Sequence, residues 1–220
     1  MTIASHILRQ PPLILFARAP VPGQAKTRLQ PEYTPAQAAE IAAFLMRATV
    51  ELAAANWPGE VWLYGAPDAE HPLFRGLAEA HGLTLGIQRG ADLGSRMANA
   101  LRDGLRQRNA AAIMGCDVPH CRWVLLDQAN EWLAQGRNVL GPTEDGGYYF
   151  IGLTRDVPEL FAGIAWGTPQ VLPQTLARAT ALGIEFEQLP PLTDIDSAAD
   201  LWLAAQNYAP LRRFLSREAR

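Results

Sequence analysis

Residues 13–29 read LILFA-RAPVPGQAKTRL, an apolar run that opens directly into a loop carrying Arg18, Lys26 and Arg28. Five apolar residues after Pro11 and Pro12 are too few to cross a membrane, so the run is expected to be a buried strand rather than a signal peptide. In open α/β sheets ligands bind where strands end, which puts the loop at the ligand edge. Arginine offers a planar fork and lysine a compact charge, a pairing suited to a diphosphate. Gly23 permits close backbone approach. The loop lacks the Gly-Lys-Thr of a phosphate-binding Walker loop, and it lacks Gly-x-Gly-x-x-Gly. It could be an ordinary solvated connection. Against that, Lys26 is the only lysine beside 18 arginines, so a position content with any cation would be expected to hold arginine.

Outward from this stretch, short apolar runs alternate with helical patterns, the signature of a mostly parallel sheet with crossover helices. Strands are expected at 61–64, 84–88 and 111–115, and helices at 73–80, 93–106 and 123–135. Thr34 and Pro35 supply an N-cap and a first-turn proline for a helix whose Ile41, Leu45, Ala48 and Leu52 share one face. Residues 138–141 and 148–153 read as strands that either pair as a hairpin or sit apart. A helix from Thr168-Pro169 to about 182, a strand at 184–189 and helices at 197–206 and 211–217 close the chain. With no repeat and no linker, residues 1–220 are expected to form one α/β domain with helices on both faces of the sheet.

The composition narrows the class. With 49% hydrophobic and 19% charged residues the chain is globular, not disordered. A net charge of -3 without a basic run argues against a nucleic-acid partner. Two cysteines, Cys116 and Cys121, favour a reducing compartment, and a cytoplasmic protein is expected. Together with His120 they could suggest a zinc knuckle, but no second cysteine pair supplies further ligands.

Four more segments could carry chemistry. Asp117 follows a strand, where a carboxylate could bridge magnesium to a diphosphate, or merely cap the next helix. The turn Thr143-Glu144-Asp145-Gly146-Gly147 could place Asp145 or Glu144 at an acceptor, or serve only as a tight turn. Asp194 and Asp196 alternate onto one side of an extended segment and could complete a metal shell, while Asp196 or Ser197 caps the following helix. In 88–97, Gln88 could read a base or sugar edge and Arg96 could meet a phosphate, with Asp92 as a plain cap.

Taken together, FARAPVPGQAKTRL (16–29), DLGSRM (92–97), GCDVP (115–119), GPTEDGGYYFIGL (141–153) and DIDSAADL (194–201) resemble a family of GT-A-type proteins described as glycosyltransferases linked to arsenosugar biosynthesis. That family usually has lysine where Arg18 stands and Asp-Ser-Pro where this chain has Val118, and Asp117 is single where many GT-A enzymes have Asp-x-Asp. The resemblance implies a Rossmann-like GT-A sheet, a nucleotide-sugar donor, a small-molecule acceptor and a divalent metal, Mg²⁺ or Mn²⁺. Asp117, Asp194 and Asp196 would hold the metal; Arg18, Gly23, Lys26, Arg28, Gln88 and Arg96 would bind nucleotide or phosphate; Asp145 would be the base. Phospholactate guanylyltransferases have a similar loop, so a nucleotidyltransferase releasing pyrophosphate is the competing expectation. A non-catalytic nucleotide-binding module is the third.

Overall fold

The computed structural model describes residues 10–218. Its strands are β1 (Leu13–Arg18), β2 (Val61–Ala66), β3 (Thr84–Ile87), β4 (Ala111–Gly115), β5 (Asn138–Pro142), β6 (Tyr148–Leu153) and β7 (Phe186–Gln188). They form one sheet in the order β3-β2-β1-β4-β6-β5-β7, in which β6 is antiparallel to both neighbours and the other described pairings are parallel. The helices are α1 (Pro35–Asn56), α2 (Pro72–His81), α3 (Leu93–Leu105), α4 (Trp123–Ala134), α5 (Val171–Ala181), α6 (Ala198–Asn207) and α7 (Ala209–Glu218).

The strand period sorts side chains between two cores. Leu13 and Leu15 of β1 pack with Leu63, Met114 and Phe150 beneath α1, α2 and α4. Ile14 points the other way and joins Trp62, Ile113 and Ile151 against Met97 and Leu101 of α3. Strands buried on both faces read as unbroken apolar runs, as residues 13–17 do. α1 buries two stripes: Met46, Val50 and Ala53 face the sheet, while Ala38, Ile41 and Leu45 join Leu29, Ile195, Leu201 and Leu211 in a third core under α6 and α7. Thr34 starts α1 with a reciprocal cap shared with Gln37.

β5 and β6 do pair as a hairpin, with Leu140 opposite Ile151 and a register slip at Gly141/Pro142. Gly146 turns it at φ 89°, where a Cβ would come within 2.4 Å of Pro169 O. Two expected elements are shorter in the structure. α5 starts at Val171, not at Thr168, because Thr168 Oγ1 donates to Ala165 O within the preceding turn. The last strand shortens to Phe186–Gln188. Among the described residues no helix is long and apolar enough to cross a membrane.

The third core bears on the site, because Ile195 is fully buried between Asp194 and Asp196. Ile195→Ala is expected to cost about 2–5 kcal/mol, the scale for emptying such a position. Urea unfolding with an unchanged slope and a lowered midpoint is the expected reading.

Candidate functional site

The loop after β1 is held by its small and apolar residues. Ala19, Ala25 and Leu29 are buried, while Arg18 and Arg28 stand in solvent. Lys26 adopts the left-handed conformation at φ 46°, unusual for a residue with a Cβ. A side chain 91% withdrawn from solvent then sends its ammonium into the protein. It donates to Ile195 O at 2.6 Å and to Asp196 Oδ1 at 2.7 Å, and lies 2.8 Å from Asp117 Oδ1. All three donors of the ammonium thus meet protein oxygens. Lys26 is expected to meet a diphosphate; in the ligand-free fold its charge is committed to the neighbouring carboxylates. The cations turned toward solvent are Arg18 and Arg28, and Arg28 pairs with Asp196 Oδ2 at 3.3 Å.

Backbone contacts lock the same junction. Ile195 N donates to Asp117 O, and Thr49 Oγ1 of α1 donates to Cys116 O. Ser197 caps α6 in a reciprocal box with Asp200, which frees the Asp196 carboxylate for Lys26 and Arg28.

Two carboxylates, Asp117 and Asp196, contact this buried cation, and Asp194 and Asp145 lie within reach of their charge. Burial by itself would lower the pKa of Lys26, but the charges of Asp117 and Asp196 and their hydrogen bonds outweigh it and raise it above 10.5. Burial pushes Asp196 up, while Lys26 and Arg28 pull it further down, so it ends below its ordinary value. Asp194 is the opposite case. Burial, then the charges of Asp117, Asp196 and Asp145, push it up to about 7. The cluster therefore holds more negative charge than Lys26 neutralises. Among the described residues no three His, Cys, Asp or Glu side chains are grouped as a metal would require, so the expected Asp117–Asp194–Asp196 shell is not preassembled; the ammonium occupies the space between Asp117 and Asp196.

Two adjoining cavities share Phe16, Arg28 and Asp196. The smaller, about 230 Å³, is lined by Arg18, Gln24, Lys26, Thr27 and Asp117. The larger, about 510 Å³, runs over Gly115 to Asp145, Tyr148, Trp166 and Asp194. Asp145 Oδ1 accepts from Thr143 Oγ1 at 2.6 Å and from Gly147 N at 3.1 Å, so the turn role is real and coexists with a place in the cavity wall. Glu144 turns away to accept from Thr193 Oγ1.

Other expected site residues serve the scaffold. Gln88 spends both N–H bonds on Ala17 O and Tyr64 O, tying β1 to β2, which corrects its assignment to a base or sugar. Arg96 folds back to Gly90 O, and Asp92 caps α3 in a box with Ser95. Gly23 supplies a positive φ of 79° and lines neither of these two cavities. Cys116 and Cys121 are buried thiols; burial pushes Cys121 up to about 12 and Cys116 higher, which suits neutral packing rather than zinc. Sequence reasoning missed the apolar wall of Phe16, Leu93, Met97, Tyr148 and Trp166. Phe16 and Tyr148 were legible as strand ends, but Trp166 lies in a loop with no local pattern.

A family model described as "uncharacterized protein conserved in bacteria (DUF2064)" matches residues 49–168, more than half of the chain. No curated protein matches. Among solved structures, a "putative nucleotide-diphospho-sugar transferase" of Desulfovibrio desulfuricans G20 is 27% identical, covers 92% of this chain and 97% of its own, and superposes with a TM-score of 0.76. Rv0371c of Mycobacterium tuberculosis H37Rv in complex with manganese is 14% identical over 89% and 98%, with a TM-score of 0.54. The 4-diphosphocytidyl-2C-methyl-D-erythritol synthase of Anaerococcus prevotii DSM 20548 is 8% identical over 89% and 95%, with a TM-score of 0.59. The last two likenesses are likenesses of fold.

The electrostatics lead to two measurable results. In the unfolded chain Asp194 releases its proton near 3.8, whereas the folded chain holds it to about 7. The folded state binds more protons in between, so stability from this group falls as pH rises from about 4 to 7, and Asp194→Asn should flatten that slope in a melting series. Lys26→Met leaves two carboxylates without their shared donor and should cost about 1.5–3 kcal/mol at neutral pH, the scale of charge-assisted hydrogen bonds; chemical denaturation reads it.

Proposed function

The chain belongs to the family described as uncharacterized protein conserved in bacteria (DUF2064), and we propose that it is a glycosyltransferase of GT-A type. It would use a nucleotide-diphospho-sugar donor, a divalent metal and a small acceptor, with residues 1–220 as one cytoplasmic domain. The observation that carries this reading is that Asp117, Asp194 and Asp196 line two adjoining cavities together with Arg18 and Arg28, at the strand ends of the sheet. The name of the Desulfovibrio relative points the same way.

The oxygen chemistry of these carboxylates suits the metal, which would have to draw them together around it. Carboxylate oxygens are what Mg²⁺ and Mn²⁺ prefer, and Asp194, raised to about 7 by burial and then by the charges of Asp117, Asp196 and Asp145, would ionise more readily beside a cation. Asp117, Asp194 and Asp196 would hold it. When bound, the ion would offset the charge that builds on the departing diphosphate. Arg18 and Arg28 would take the diphosphate oxygens on the solvent side of the loop. Lys26 keeps the loop and the 194–196 segment in register by its three bonds. Asp145 Oδ1 is fixed by Thr143 and Gly147, so Oδ2 would accept the acceptor's hydroxyl proton.

Nucleotidyl transfer is the second reading, supported by the resemblance of the Ala25–Leu29 loop to that of phospholactate guanylyltransferases. The product decides between them: nucleoside diphosphate from glycosyl transfer, pyrophosphate from nucleotidyl transfer.

Arg28→Ala should weaken nucleoside diphosphates about tenfold to a hundredfold while leaving the bare nucleoside nearly unchanged, from the roughly 1.5–3 kcal/mol of a charged hydrogen bond. Asp117→Asn should abolish the metal-dependent part of that affinity by calorimetry; equal metal-dependent affinity in both proteins removes Asp117 from the metal shell. Asparagine at 145 can still accept from Thr143 and Gly147, so Asp145→Asn should keep the turn and donor affinity and lower turnover about a hundredfold or more. Unchanged turnover retires Asp145 as base.

A further inference from the structure

We propose that the larger cavity receives an uncharged molecule with an aromatic or aliphatic body and a free hydroxyl, and that it rejects phosphorylated or carboxylated acceptors. The inference rests on the transfer reading above and names the class of its acceptor.

At about 510 Å³ the cavity has the size of a small-molecule site. One side is an apolar wall built before any ligand arrives. Tyr148 and Trp166 meet edge to face at 6.4 Å. Trp166 is pressed against α3 at Gly94, where a Cβ would lie 2.9 Å from its indole atoms, so the ring is held by shape. Leu93 opens on the rim at 41% exposure, an apolar side chain left in solvent at the mouth. Met97 and Phe16 line the floor between them.

The other side is acidic. Asp145, Asp194 and Asp196 line the cavity against a single cation, Arg28. Arg28 is already paired with Asp196 at 3.3 Å and is shared with the smaller cavity, where the diphosphate would claim it. The donor diphosphate would claim any metal held by Asp117, Asp194 and Asp196 as it claims Arg28, so a second phosphate or a carboxylate here would face Asp145 and Asp196 with no free cation of its own, an unfavourable juxtaposition of like charges. A hydroxyl has no such penalty. Asp145 lines this cavity and not the smaller one, so the hydroxyl that it would deprotonate belongs here.

Phenyl β-D-glucopyranoside and its 6-phosphate share one body and differ in charge, and saturation-transfer NMR on the full chain without added metal reads their affinities. The neutral glycoside should bind at least about tenfold tighter. Trp166→Ala should weaken it about fivefold or more, as expected for a buried aromatic contact. Leu93→Arg, at an exposed rim position that leaves the fold intact, should move the preference toward the phosphate. Equal or tighter binding of the 6-phosphate by the natural chain, absence of neutral-glycoside binding, or indifference of that binding to both Trp166→Ala and Leu93→Arg would each overturn the proposal. A parallel thermal-shift series with ADP, GDP, UDP and CDP, compared with Arg18→Ala, reads the smaller cavity. Nucleotides that fail to bind while the glycoside keeps its dependence on Trp166 would sink the transfer reading and leave the cavity assignment standing. Nucleotides that bind while the 6-phosphate wins would sink the cavity assignment alone.

Discussion

The ammonium of Lys26 is the point on which three distant parts of the chain close. It comes from the loop after β1, reaches Asp117 after β4, and takes both the carbonyl of Ile195 and the carboxylate of Asp196 from the segment before α6. A buried lysine is unfavourable unless its charge is paired and its donors are filled. Both conditions are met, at the cost of a left-handed backbone at Lys26. The rest of the site follows from that closure. Arg28, two residues on, is turned toward solvent and Asp196, and the carboxyl edges of β1 and β4 are held beside each other across the opening.

Packing and charge cooperate at Ile195. The fully buried side chain pins the 194–196 segment to the third core. Its amide and carbonyl meanwhile bond to Asp117 O and Lys26, which leaves Asp194 and Asp196 to face the opening. Asp194 holds its proton to about 7, first because it is buried and then because Asp117, Asp196 and Asp145 add like charge around it. The division of the opening into a cationic part near Arg18 and an acidic, aromatic part near Trp166 is a consequence of where the strands end. β1 delivers the basic loop, and the β5–β6 hairpin delivers Asp145 and Tyr148.

The local pattern carried the α/β architecture. The apolar run at 13–17, the Thr34-Pro35 start and the capping residues Asp92 and Ser197 all specify their elements through short-range chemistry. The alternation of Asp194 and Asp196 about a core residue was legible for the same reason, since a period of two is a property of an extended chain. The hairpin was ambiguous because two apolar strands and a Gly-rich turn are compatible with either pairing, and only the sheet order settles it.

The sequence by itself determined which residue types stand at strand ends, and so that cations, carboxylates and glycines gather at one edge of the sheet. Tertiary structure alone decided who meets whom. It turned the single lysine inward to Asp117 and Asp196, spent Gln88 on the carbonyls of Ala17 and Tyr64, folded Arg96 back on Gly90, and brought Trp166 from a patternless loop to Tyr148. Donor and acceptor capacity is written in a residue's chemistry, but which partner fills it depends on contacts between positions as far as 170 apart in the chain, and no local period encodes those.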